Sequence, residues 1–454
     1  MSVEHQVVAQ ERSALWKKVF ILAWPAIIEM SLQMTVGIVD TIMVGRLGKE
    51  ALASVGLANQ INWFATTVFA AVSTGSTALV ARHIGAREPK EAGDVARQSI
   101  FMGIVLAGSV MAILLLFGQN ILHLLFKNSE PEVLSLSTGY VKIVSAAVIM
   151  NFFLMITNAV LRGAGNTRTP MLVTMTVNIL NLVGNYFFIY GNGPFPAMGV
   201  NGAALGTTLA QVVGGIIALV VLLRSPLLSV NLKGPYRFDK KIIKRILTIG
   251  LPAAFEQGTM RIGQLLYTMI VASLGTVSYA AHQVAINAES LSYMPGWGFA
   301  LAATTLVGQS LGANDPDLAE KSGNISARMA FVVMSIMGAL FFLFPYQIVA
   351  LFTSDPEVID LAAVCLRLVA IAQPPLAFLQ TYSGGLRGAG DTKTIMKITT
   401  MGFLGLRITL AYLLAITFKL GLVGAWIAMV VDLVTRSGLM WITFRRGKWK
   451  LLKV

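Results

Sequence analysis

"LRGAGNTRTPM", residues 161–171, returns 225 positions later as "LRGAGDTKTIM", residues 386–396. Working outward, the repetition extends far beyond the phrase. "WPAIIE" (24–29) matches "LPAAFE" (251–256), and "LVARHIGAREP" (79–89) matches "LVGQSLGANDP" (306–316), both at an offset of 227. "EPEVL" (130–134) matches "DPEVI" (355–359) at 225, and "GVNGAALG" (199–206) matches "GLVGAWIA" (421–428) at 222. Such a drifting offset is what small loop deletions leave behind. The chain therefore reads as a duplication, with a first half at 1–223, a basic linker at 224–245 and a second half at 246–454.

What is duplicated is a membrane bundle. The 454 residues are 56% hydrophobic and 12% charged, against roughly a quarter charged in soluble domains. Apolar stretches long enough to cross the ~30 Å hydrocarbon core as helices recur throughout. They place helices near 17–44, 51–80, 95–117, 133–160, 170–190 and 199–223, then near 245–272, 278–309, 323–344, 358–384, 395–417 and 421–443. No run alternates as barrel strands do, so the expected fold is an all-α integral membrane protein of twelve transmembrane helices. Six crossings return the chain to its starting side. The halves are thus parallel six-helix bundles related by a pseudo-twofold along the membrane normal, an arrangement found in transporters.

The termini and even-numbered loops hold 26 Lys/Arg, the odd-numbered loops only Arg46, Lys49, Lys127 and Lys419. Both termini are expected to be cytoplasmic. The net charge of +14 then faces anionic membrane lipid and needs no nucleic acid. The first sixteen residues lack the apolar core of a secretory signal. One cysteine, Cys365, excludes an internal disulfide, and His5, His83, His123 and His282 show no metal-ligand spacing. No metal or cofactor is expected.

Charge inside a bilayer is costly, so acids within helices are informative. Clear of the helix ends, only Glu29, Asp40, Glu256, Glu289 and Asp432 qualify. On helix 1, Glu29, Gln33, Gly37 and Asp40 share a stripe about 80° wide. On helix 5, Met171, Thr174, Asn178, Asn181 and Asn185 share another of about that width. The repeat serves as an internal control. Asp40 corresponds to Tyr267, and Asn178, Asn181 and Asn185 to Phe403, Leu406 and Leu410, so this polar stripe belongs to the first half alone. Glu29 recurs as Glu256, which points to packing or gating. The paired phrase supplies a tight turn whose Arg162 and Arg387 cap the preceding helices or brace a gate. Met30, Met34, Met171 and Met175, with Trp63 and Phe64, suit an adaptable wall for flat cations; lipid-facing or core positions suit the methionines equally.

Together, twelve helices in parallel halves, "VDTIMVGRLG" (39–48), "GAREP", "GANDP" and the duplicated "LRGAG(N/D)T" resemble the multidrug and toxic compound extrusion (MATE) family, its first half being most similar to the prokaryotic DinF-like branch. The resemblance implies a monomeric, multi-pass protein of the prokaryotic inner membrane that is no enzyme and exports bulky organic cations in exchange for H+, or alternatively Na+. It implies that Asp40 binds the coupling proton with support from Asn181, Asn185 and Thr207. Cargo is expected at Gln33, Met34, Gly37, Trp63, Phe64, Met171, Thr174, Met175 and Asn178, and gating at Glu29, Glu256, Arg162 and Arg387. NorM-like members carry carboxylates on helices 7 and 10; here the helix 7 position is Met260 and helix 10 reads "IAQPPLAFLQTYSGG", which speaks against a sodium site of that kind.

Two rivals remain. "GAGD" at 388–391 matches the GxGD of intramembrane aspartyl proteases, but its aspartate lies in a basic loop and its repeat mate is Asn166. A flippase or exporter of lipid-linked compounds would line its path with Lys or Arg, whereas the first-half stripes carry acid and amides.

Overall fold

The structure, a computed structural model, describes residues 3–127, 129–225, 227–228 and 238–452, with all their side chains except those of residues 3–12, 64 and 65. Most of the linker 224–245 therefore lies outside the described residues. Twelve long helices succeed one another: α1 (Val3–Gly45), α2 (Lys49–Gly85), α3 (Pro89–Leu125), α4 (Pro131–Ser145 with Val148–Gly163), α5 (Arg168–Tyr190), α6 (Gly199–Leu223), α7 (Lys240–Ala272), α8 (Thr276–Gly312), α9 (Pro316–Leu343), α10 (Pro356–Ala389), α11 (Thr392–Thr417) and α12 (Gly421–Arg445). A short helix, Pro345–Val349, precedes α10. Among the described residues, nine of the twelve are apolar enough to cross a membrane singly and the two arms of α4 make a tenth, while α7 and α8 are long enough but more polar. No strand occurs among the described residues.

The repeated phrases are helix punctuation. Gly165 and Gly390 hold φ of 89° and 86°, the left-handed region that glycine enters without steric cost. Arg87 and Asn314, also left-handed, close α2 and α8. Proline then opens α3, α4, α9 and α10 at the first helical turn, where its missing N–H leaves no helical bond unmade.

Two departures from regular helix bear on the site. The arms of α4 meet at 55° although no proline intervenes. Ala146 and Ala147 turn back onto the carbonyls of Ile143 and Val144, and the Thr208 hydroxyl donates to the Ile143 carbonyl at 3.2 Å. A neighbouring side chain thereby satisfies backbone that lipid would leave bare. α11 contains two π-helical segments, Met401–Arg407 and Leu413–Thr417, a distortion frequent at functional sites.

The chain forms two compact units, residues 28–250 and residues 1–27 with 251–454. Their boundaries fall inside α1 and α7, close to Pro25 and Pro252, whereas the sequence reading divides the chain at the linker. Proline removes a helical hydrogen bond, so each boundary falls where the helical ladder is interrupted, with an N-terminal arm before it. Within residues 28–250 the arm of α7 lies on α2, where a Cβ on Gly250 would collide with the Ala71 carbonyl. In the other unit the arm of α1 lies on α8, where a Cβ on Gly298 would collide with the Ile27 side chain and lie 3.1 Å from the Ala23 carbonyl. These contacts are repeat mates: Gly250 corresponds to Ala23 and Gly298 to Ala71.

Gly250→Ala is expected to lower the thermal midpoint of the detergent-solubilised protein by several degrees, since overpacking costs roughly 1–3 kcal/mol. Gly258→Ala, on the same helix with nothing within 4 Å of the added atom, should leave it unchanged or slightly raised; equal midpoints would contradict the packing.

Candidate functional site

Within residues 28–250, α1, α5 and α6 bring four of the expected residues together. Asn185 Nδ2 donates to Asp40 Oδ1 at 2.7 Å. Asn181 lies one turn earlier on the same face of α5, with one amide atom 3.0 and 3.1 Å from the two Asp40 oxygens and the other 3.0 Å from the Thr207 hydroxyl. Asn181 and Asn185 are 5% and 1% exposed. Tyr140, on the first arm of α4, approaches both Thr207 and Asp40. Thr207 thus serves the site while its neighbour Thr208 holds the bend beside it.

The Asn181 amide can be seated in two ways, and each matches one state of Asp40. With Nδ2 toward Asp40 it donates to an ionised carboxylate and its oxygen accepts from Thr207. With Oδ1 toward Asp40 it can accept from a protonated carboxyl while Nδ2 donates to Thr207.

A second cluster explains the duplicated arginines. Arg162 Nη1 donates to Glu29 Oε1 at 3.0 Å, and the Thr174 hydroxyl donates to the same oxygen at 3.2 Å. In the other unit Arg387 Nη2 donates to Glu256 Oε1 at 2.8 Å, joined by Thr399 at 3.4 Å. Glu, Arg and Thr each correspond through the repeat, and in both triads Oε2 has no partner. The guanidiniums expected to cap helix ends are therefore ion-paired to the glutamates expected to gate.

The remaining expected residues scatter. Thr174 is 4% exposed and engaged by Glu29 and Asn158, and Met171 is buried as well; neither offers a surface to cargo in this conformation. Gln33, Gly37, Trp63 and Met175 are exposed and Met34 and Asn178 half-buried, while the Phe64 side chain lies outside the described residues. Sequence reasoning missed Tyr140. It also missed a second-half cluster in which Asp432, fully buried, accepts from Arg407 Nε at 2.8 Å and from Arg436 Nε and Nη2 at 2.7 Å each. Asp432 and Arg436 are one turn apart and legible as a pair, but Arg407 is turned to them by the π segment it ends, which spacing does not show.

Comparison with known proteins fits this architecture. The MatE family model matches residues 25–187 and again 252–413, the two halves in register. A probable multidrug resistance protein NorM of Thermotoga maritima is 35% identical over 442 residues, covering 97% of this chain and 94% of that protein. The multidrug resistance protein MdtK of Pectobacterium atrosepticum is 29% identical, covering 94% of each. A solved outward-facing multidrug resistance MATE transporter of the MOP superfamily superposes with a TM-score of 0.89 at 26% identity, covering 97% of both chains. A MOP superfamily transporter from Pyrococcus furiosus, described as having a binding pocket of reversed polarity, superposes equally well at 25% identity. The chain belongs to the MATE family of membrane transporters, with the all-α fold of twelve transmembrane helices in two bundles. By name, its bacterial relatives are a probable multidrug resistance protein and a multidrug resistance protein.

Arg162→Met would strand the Glu29 carboxylate, and removing one partner of a buried pair costs about 3–5 kcal/mol. The thermal midpoint should fall sharply in that variant and recover in large part when Glu29→Gln is added. A double variant as unstable as the single one would show that the pair is not coupled.

Proposed function

We propose that the chain is a secondary antiporter of the prokaryotic inner membrane that exports bulky organic cations in exchange for H+ admitted at Asp40. One observation carries the reading. Glu29, Glu256 and Asp432 each hold a guanidinium and Glu289 lies in the field of Arg407, whereas the hydrogen bonds to Asp40 come from neutral amides and no cation pairs with it among the described residues. A carboxylate without a resident counter-charge can take either a proton or a cationic cargo. Ionised, it attracts the cation; protonated, it releases it. Entry of H+ from outside would then drive cargo outward. The absence of Asp40 and the Asn181 and Asn185 amides from the second half supports assigning the exchange to the first.

A second reading uses the same pocket. Asn185 Oδ1 is buried with no partner beside Asp40, and a carboxylate with spare amide and hydroxyl oxygens also suits Na+. Proteoliposomes in which H+ and Na+ gradients are varied separately distinguish the two. Export of an organic cation should follow the proton gradient alone in the wild type, stop in Asp40→Asn and lose its pH dependence there. Export by Asp40→Asn under a proton gradient would remove Asp40 as the coupling group; export following only the Na+ gradient would favour the second reading. Asn181→Leu should likewise abolish export while Leu406→Asn is tolerated.

The cationic loops favour cytoplasmic termini. In a chain carrying Cys365→Ala, a cysteine at Asn314 should react with a membrane-impermeant reagent only from the cytoplasm and one at Asn192 only from outside. The opposite pattern would invert the topology.

A further inference from the structure

The unit formed by residues 1–27 and 251–454 contains a small cleft, about 40 Å³ in volume and partly open, which the exchange at Asp40 does not use. Its wall includes Glu256, Tyr293, Trp297, Gln380, Arg387 and Arg436. The repeat separates what is architecture here from what is particular. Glu256 and Arg387 recur in the first half as Glu29 and Arg162. Tyr293, Trp297, Gln380 and Arg436 do not, their mates being Thr66, Ala70, Met155 and Gly214. Four second-half-specific residues thus converge on one cleft.

Their chemistry has one direction. Arg436 commits Nε and Nη2 to Asp432, which leaves Nη1 as a donor. Gln380 is 6% exposed, and neither its amide nitrogen nor its oxygen has a partner, an arrangement that costs a folded protein unless something else binds there. Glu256, the carboxylate of the wall, is held by Arg387 at 2.8 Å, and Arg387 lies 5.6 Å over the Trp297 ring. Behind Arg436, Asp432 is shared with Arg407, whose field also reaches Glu289. Among the lining groups, therefore, two guanidiniums face one already paired acid, beside two aromatic rings and an unfilled amide. Pockets that combine flat apolar walls with a few fixed polar groups are the usual form of small-molecule sites.

We propose that this cleft is a second ligand site, distinct from Asp40, that takes a single-ring aromatic carboxylate, with the ring against Trp297 and Tyr293 and the carboxylate on Arg436 Nη1 and Gln380 Nε2. The cargo site proposed above selects positive charge; this one selects negative.

The test uses the full-length protein in nanodiscs, with protein-free nanodiscs as the blank, and follows 4-fluorobenzoate by ¹⁹F NMR. Saturable binding at one site is expected, with displacement by benzoate, at least fivefold weaker displacement by the neutral isostere benzamide, and none by benzylammonium. Arg436 is itself buried and ion-paired, so the informative variants are Gln380→Met, which installs the first-half residue, and Trp297→Ala. Each should weaken 4-fluorobenzoate binding at least fivefold in protein that retains the wild-type thermal midpoint, while Asp40→Asn should leave it unchanged. Absence of saturable binding to the wild type, equal displacement by the three competitors, or affinity unaltered in both cleft variants would overturn the proposal. Loss of binding in Asp40→Asn would also overturn it, by showing that the probe occupies the first-half site. Because the readout is binding of an anion, the result is independent of whether Asp40 couples export to protons.

Discussion

Lipid offers neither water nor counter-ions, so every charge and every backbone polar group placed at membrane depth has to find its partner within the protein. Most of the features found here follow from that demand. The prolines in α1 and α7, the bend in α4 and the π segments of α11 all free backbone groups, and at the bend in α4 a threonine from α6 satisfies what is freed. The carboxylates obey the same demand through guanidiniums at Glu29, Glu256 and Asp432. Asp40 meets it with amides, which satisfy its oxygens without neutralising its charge, and the proposed exchange of one positive charge for another rests on that difference.

The duplication makes the distinction sharper than a single bundle could. Residues needed simply to hold six helices together should survive in both halves, and the Glu–Arg–Thr triads do, down to the unpaired Oε2 of each glutamate. The left-handed closures at Gly165 and Gly390, and the Gly250 and Gly298 contacts, are likewise paired. What is not paired is polar and clustered: Asp40 with its amides in one half, and Arg407, Asp432, Arg436 and Gln380 in the other. The two halves have kept one scaffold and diverged in charge, acidic and amide-lined in the first and guanidinium-rich in the second.

Much of this was legible beforehand. Hydropathy and the repeated phrases placed all twelve helices, because length and apolar content are properties of contiguous sequence. Rotation by 100° per residue put Asn181 and Asn185 on one face toward Asp40. What could not be read is what depends on side-chain reach across large separations. Arg162 meets Glu29 from 133 positions away, and an arginine after a helix looks locally like a cap. The break in α4 has no proline to announce it. Thr174 shares its stripe with the asparagines yet belongs to the glutamate cluster, because helix rotation assigns a face but not a depth. Arg407 meets Asp432 from the end of a π segment, which shifts the register on which a reading by helix rotation rests.

The central claim is that Asp40 holds a proton or a cargo cation but not both. It is tested most directly by measuring proton release when an organic cation such as tetraphenylphosphonium is added to the purified, weakly buffered protein at constant Na+. The account predicts that the wild type releases up to one proton per cation bound and that Asp40→Asn, still folded, releases none. Equal release from both proteins, or cation binding to the wild type without any proton release across the pH range in which it binds, would contradict it.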